Sequence, residues 1–279
     1  MAVIGTWNPE NLYRPGGEFG PRDADTYRAK LSALADTIDR EAPDVLAVQG
    51  VGEPEALADL VALLDGEWSS VLSAFTDDRG IRVGFLSRTP PEVLEAVAAF
   101  PEGLAPVQAR EAGQTTARIG RSALAVRLEL PVGPTVDLVT CHLKSKLLTF
   151  PPRPGGSGTV RFSTRDEGER ARFGAYAIYL RAAEAVTVRA LADRLLGGEG
   201  RERAVVLLTR PRGPAILPRL PRPRRADRPH PGQPRAARRH AGGAHRRGRP
   251  LPSIEDDPSS RRATGHASDH ALVLARLVT

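Results

Sequence analysis

The stretch "DVLAVQGVGEPEAL" (residues 44–57) decides the fold. From Asp44 to Gln49 it runs through Val45, Leu46, Ala47 and Val48, an apolar segment of the length and composition of a short buried strand. Pro54 to Leu64 reads as the helix that follows it. A buried strand leading through a short loop into a helix is the building unit of an α/β fold. Such folds place their chemistry at the carboxyl ends of the strands, here at Gln49 and Gly50.

The pattern repeats on either side. Residues 2–7 read as a first strand, and "ADTYRAKLSALADTIDREA" then carries Leu31, Leu34, Ala35 and Ile38 at helical spacing. Strands are expected in "WSSVLSAF" and "GIRVGFLS". "SALAVRLEL" alternates Leu124, Val126, Leu128 and Leu130 with the residues between them, a period of two. "TVDLVTCHLKS" reads as a strand running into a loop, and "EGERARFGAYAIYLRAAEAVTVRALADRLLGG" as a long helix stopped by Gly197 and Gly198. "RAVVLL" and "HALVLARLV" supply two further strands. Mixed strand pairs with flanking helices imply an α/β sandwich in which two sheets pack together and helices cover the outside.

At 279 residues the chain is long enough to bury a full core, and the alternating pattern suits one large domain over 1–279. No apolar run reaches 18 residues, and Met1 leads directly into "AVIGTW". The expectation is therefore a cytoplasmic protein without a membrane partner. Cys141 is the single cysteine, which excludes an internal disulfide framework and a cysteine-rich zinc site, and its apolar strand implies a buried structural thiol.

The net charge of +7 invites a nucleic-acid reading, but its location changes its meaning. Residues 209–250 hold 13 Arg, one acid (Asp227) and nine Pro, a local charge of +12 that leaves −5 for the remainder. No period of 2 or 3.6 runs through this stretch, and Pro at such density removes donors and fixes φ too often for a helix or a central strand. Two readings stand beside each other: a natural, disordered Arg/Pro linker, or GC-rich coding DNA translated out of frame. Apolar patterning ends abruptly at Thr209 and resumes near "LPSIEDDP".

Four patches, "TWNPENLYRP" (6–15), "DVLAVQGV" (44–51), "VDLVTCHLKSKLL" (136–148) and "ASDHALVLARL" (267–277), resemble the endonuclease/exonuclease/phosphatase superfamily, the DNase I-like and exonuclease III-like phosphodiesterases. "RGIRVGFLSR" and "FSTRDEGERARFGAYAIYLRAAEA" look like its bacterial members, and the resemblance covers roughly residues 3–208 and 251–277. It implies a two-layer β sandwich flanked by helices, incomplete after residue 208. It also implies hydrolysis of a phosphate ester, nucleic acid among the substrates, with Mg²⁺ or Mn²⁺ as cofactor.

The resemblance assigns roles residue by residue. Asn8 matches the asparagine that orients phosphate or metal-bound water. His142 matches the histidine that contacts the scissile phosphate. Asp269 and His270 match the closing Ser-Asp-His motif, the aspartate beside metal and phosphate and the histidine as general base or phosphate-bound acid.

Two departures stand against this. The glutamate that binds the metal directly belongs at the place of Gly50, with Glu53 or Glu10 as the conceivable substitutes. The Gly-Asp-x-Asn segment expected after "AVVLL" is replaced by Thr209, Arg210, Pro211 and Arg212, and the 209–250 stretch stands where further core segments belong. The chain is accordingly expected to keep the scaffold and two histidines of a phosphoesterase with impaired activity. The alternative is an inactive relative whose basic arm binds nucleic acid without sequence preference.

Overall fold

The computed structural model describes residues 1–111, 113–131, 133–145, 147–151, 161–197, 204–209 and 272–277. Along the chain run β1 (Ala2–Trp7), α1 (Ala24–Glu41), β2 (Val45–Val51), α2 (Pro54–Val61), β3 (Ser69–Leu72), β4 (Arg82–Ser87) and β5 (Glu92–Ala99). There follow β6 (Val107–Gln108), β7 (Thr115–Thr116), β8 (Arg118–Glu129), β9 (Thr135–Cys141), α3 (Glu167–Gly197), β10 (Ala204–Thr209) and β11 (Val273–Leu277). One sheet has the order β11-β1-β2-β4-β3 and a second β10-β9-β8-β5, while β6 and β7 form a small separate ribbon. Pairing is parallel for β1 with β2 and for β9 with β10, and antiparallel elsewhere.

The apolar residues sort into three layers, which fixes the architecture. Ile4, Val45, Ala47, Val83 and Phe85 of the first sheet meet Leu124, Val126, Leu128, Val136 and Leu138 of the second, all buried. On its other face the first sheet presents Trp7, Leu46 and Val48 to Leu31, Leu34 and Ile38 of α1 and to Leu57 and Leu60 of α2. The second sheet turns Ala123, Ala125, Val139 and Cys141 towards Val188 and Leu191 of α3. Strand side chains alternate between faces, so each strand feeds two layers at once, and the near-continuous apolar run at 45–48 is what a strand covered on both sides requires. The result is the expected helix-sheet-sheet-helix sandwich.

Local signals set the helix ends. Asp23 caps α1, its carboxylate accepting the Thr26 N–H at 2.7 Å, and Ala42 ends the helix in the left-handed region. Pro54 opens α2, which ends at Val61, three residues before the expected Leu64. The strand expected to end at Gln49 continues to Val51, because Gly50 is accommodated as a bulge: Gln49 pairs with Val83 and Val51 with Arg82, leaving Gly50 without a register partner at φ +87°. β5 was not anticipated. The Arg/Pro stretch after Thr209 lies outside the described residues, and β10 and β11 close the two sheets among the described strands. No described helix is long and apolar enough to cross a membrane.

Candidate functional site

Three strand ends are brought together by one side chain. Gln49, fully buried on β2, donates from Nε2 to Thr6 Oγ1 of β1 at 2.9 Å and to Thr140 Oγ1 of β9 at 3.0 Å, tying the two sheets across the sandwich. Thr6, Gln49 and Thr140 sit on the inter-sheet face, beyond the apolar layer formed by Ile4, Val45, Ala47, Val136 and Leu138. A polar layer here marks the point where the core gives way to a site. By the period of two, the next residues on that face are Asn8, just past β1, and His142, just past β9; both are buried, at 6% and 8% exposure. The structure thus places two of the sequence-assigned residues at the same end of the sandwich, one pleat above the Gln49 bridge. Asp269 and His270 lie outside the described residues.

The seat of the expected metal glutamate is closed. A Cβ at position 50 would lie 2.3 Å from Asn8 Oδ1, the same oxygen that accepts the Glu10 N–H at 2.9 Å. Asn8 therefore folds onto its own loop and occupies the space beside Gly50. The loop is held there by backbone bonds from Leu12 N to Gly50 O and from Gly52 N to Leu12 O, each 3.0 Å. It turns through Glu10 and Asn11 at φ +51° and +47°, conformations that non-glycine residues seldom adopt. Lys30 Nζ donates to Glu10 O and anchors the turn.

The two conceivable substitutes are placed as follows. Glu53 occupies the cap position of α2, and its Oε2 accepts the Arg14 N–H at 2.8 Å, so its carboxylate staples the 8–14 loop to the helix. Glu10 commits its backbone to Asn8 and Lys30. Among the described residues no group of three His, Cys, Asp or Glu side chains is arranged to hold a metal ion. Asp269, a further candidate ligand, lies outside the described residues.

A ring of charge that the sequence reading missed surrounds this end. Arg121, at the start of β8, donates from Nε to Asp77 Oδ2 at 2.9 Å, and Asp77 Oδ1 accepts the Arg79 and Ile81 N–H groups at 2.9 and 3.0 Å. Tyr13 donates its hydroxyl to Arg79 O at 2.7 Å; burial, opposed by the Arg79 charge and helped by Asp77, pushes the phenol up to about 12. Across β8 and β9, Glu184 of α3 accepts the Gly120 N–H at 3.1 Å and the Lys144 N–H at 2.5 Å. Burial raises the Glu184 carboxyl against the pull of these two donors. Glu184 thereby clamps the segment that follows His142. Burial lowers the Lys144 ammonium, and the guanidinium of Arg121 lowers it further. Cys141, 1% exposed and pushed up to about 12 by burial, is the structural thiol expected.

The polar residues Thr6, Gln49 and Thr140 were legible as interruptions of otherwise apolar strands. Arg121 and Lys144 carried no such mark.

No protein-family model matches the chain, and no curated protein does. Among solved structures, an endonuclease/exonuclease/phosphatase family protein from Bacteroides thetaiotaomicron is 12% identical with a TM-score of 0.43, covering 75% of this chain and 62% of its own. The catalytic domain of human Nocturnin with bound sulfate is 13% identical with a TM-score of 0.38 over 75% of this chain and 64% of its own. TDP2 of D. rerio, complexed with single-strand DNA product, is 15% identical with a TM-score of 0.40 over 75% of this chain and 60% of its own. The chain spans less than two thirds of the length of each of these three. Likenesses of this size add nothing to the architecture that the strand order already defines.

Proposed function

We propose that the chain is a member of the endonuclease/exonuclease/phosphatase superfamily, built to hydrolyse phosphate esters and impaired in that reaction in its present form. The observation that supports the reading is the Gln49 bridge between Thr6 and Thr140, beyond which Asn8 and His142 are the next residues on the same face of β1 and β9. An amide and an imidazole there suit a phosphate: the amide N–H₂ donates to one oxygen, and the imidazole exchanges a proton near neutral pH with another. The motif sequence that matches His142 and Asn8 supports the same chemistry. His270 and Asp269 are proposed as the general base or acid and its neighbour.

The impairment follows from position 50 and from Thr209 to Arg212. No carboxylate is available at the first, and the water-positioning Asp and Asn are missing from the second. A positioned acid, base or ligand contributes on the order of 10²- to 10⁴-fold in rate, so two such losses together leave little turnover. The test is hydrolysis of bis-p-nitrophenyl phosphate with Mg²⁺ or Mn²⁺ against an EDTA control. The expected result is turnover indistinguishable from the control. EDTA-sensitive turnover lost on His142→Ala would show an intact enzyme and overturn the impairment.

A second reading, a nucleic-acid-binding protein on an inactive scaffold, is favoured by one feature, the 13 arginines of residues 209–250.

A further inference from the structure

We propose that Arg121 and Lys144, with Arg79 at the rim, form a binding site for a tetrahedral oxyanion of the phosphate type that works without a divalent cation. The inference rests on the reading that the strand-end site receives a phosphate. It names the groups that neutralise that phosphate where the carboxylate for a cation is missing.

The geometry comes from three elements converging on one end of the sandwich. Arg121 stands two residues before Ala123, which pairs with Cys141, so it lies at the end of the sheet where His142 follows β9. It spends Nε on Asp77, and its terminal Nη groups make no hydrogen bond among the described residues. Its side chain is 18% exposed, enough for a ligand to reach. Arg79, on the turn between β3 and β4, approaches the same Asp77 carboxylate at 3.8 Å. Lys144, on the segment after β9, donates Nζ among the described residues to neutral carbonyls, Leu147 O at 2.8 Å and Ser145 O at 3.4 Å.

The charge balance at this end favours an anion. Two guanidinium groups share one carboxylate, Asp77, whose other oxygen is already taken by two backbone N–H groups. Among the described residues, Glu184 is consumed by the Lys144 and Gly120 N–H groups, and Asp78 of the same turn is paired with Arg110. Arg121 and Arg79 both act on the Lys144 ammonium and oppose its charge, a repulsion that an oxyanion between them would relieve. Donors arriving from a turn, a strand start and a loop suit a ligand with several oxygens better than a single carboxylate. A cation would normally do this work, and Gly50, with Asn8 folded beside it, supplies no carboxylate to hold one there.

The experiment is a titration of the full chain with inorganic phosphate at constant ionic strength, followed by calorimetry, once with EDTA and once with Mg²⁺. The affinities are expected to agree within about twofold, and Lys144→Gln to weaken binding by about tenfold or more, the scale of one charge-assisted contact. Arg121→Gln is expected to do the same; because Arg121 also holds Asp77, Lys144→Gln decides if that variant fails to fold. Arg88→Gln, whose guanidinium lies over Trp68 at the opposite end of β4, is expected to leave binding unchanged. Binding more than about tenfold weaker in EDTA overturns the proposal. So does binding unaffected by Lys144→Gln, which would assign the phosphate to the 13 arginines of 209–250.

The six histidines allow the two readings to be separated by NMR in the same titration. If the His142 signal, identified by its loss in His142→Asn, moves while Lys144→Gln has no effect, the strand-end reading stands and this proposal fails. If Lys144→Gln abolishes binding and the His142 signal never moves, the oxyanion site at Arg121 and Lys144 stands and the strand-end reading fails.

Discussion

Gln49 Nε2 and Thr140 Oγ1 meet at 3.0 Å across the gap between the two sheets, and 91 residues of chain separate them. This contact sets the register of the strand ends that carry Asn8 and His142. Gln49→Ala leaves the Thr6 and Thr140 hydroxyls without their donor in a buried layer, and the expected loss is about 1–3 kcal/mol in urea unfolding. The chemical shift of His142 is expected to change with it. Wild-type stability in Gln49→Ala would remove the bridge as an organising contact.

Gly50→Glu is expected not to restore Mg²⁺-dependent hydrolysis of bis-p-nitrophenyl phosphate. The residue at 50 must adopt φ +87°, and its Cβ displaces Asn8 Oδ1, so the new carboxylate enters only by swinging Asn8 off the Glu10 N–H. Gly50→Ala isolates the backbone part and is expected to cost about 1–3 kcal/mol. Restored, EDTA-sensitive turnover in Gly50→Glu alone would refute this account of the site. Activity is expected only when Gly-Asp-x-Asn also replaces Thr209 to Arg212, since residues that act as a unit do not contribute additively.

Glu169 sets an acid limit on stability. Burial alone would raise its carboxyl, but the Arg165 N–H and guanidinium and the Arg161 guanidinium bring it down to about 2 from 4.5. A depressed carboxyl contributes stability above the unfolded value, and that stability is lost as pH falls through the folded one. Thermal unfolding at stepped pH is therefore expected to show a decline between about 4.5 and about 2 that flattens in Glu169→Gln. An unchanged pH profile in the variant would place the acid-sensitive group elsewhere.

If residues 209–250 act as a basic arm, duplex DNA binding is electrostatic, with a log-log salt slope of about 0.9 per phosphate neutralised. Deleting 209–250 is expected to remove most of that binding. Affinity that survives the deletion would sink the arm and move the DNA contact to the folded part of the chain.

Much of the fold could be read from the residues, because most strands and the helices α1 and α2 carry a clear period, and α3 is a long stretch of helix-forming residues closed by Gly197 and Gly198. β5 could not. Its register with β8 shifts between Val93 and Glu95 and again between Val97 and Ala99, and two shifts in eight residues erase the alternation that marks a strand. The motifs marked Asn8 and His142 as candidates, but their shared end of the sandwich was not legible, since it is seen only through the Gln49 side chain of a third strand. Glu53 shows the converse. Its sequence position suggested a spare ligand, whereas its carboxylate holds a backbone N–H of the neighbouring loop, a role set by tertiary contact. Arg121 and Lys144 went unread because a cation beside a strand looks the same in sequence whether it faces solvent or a site.

The bulge at Gly50 also imposes an order on mutational change. With the loop folded over a left-handed glycine, a carboxylate introduced at position 50 meets both an unfavourable φ and an occupied space. A single substitution is thereby disfavoured and pairs of changes are ordered: the loop must be released first, through Asn8 or its turn at Glu10 and Asn11, before a side chain at 50 can be seated.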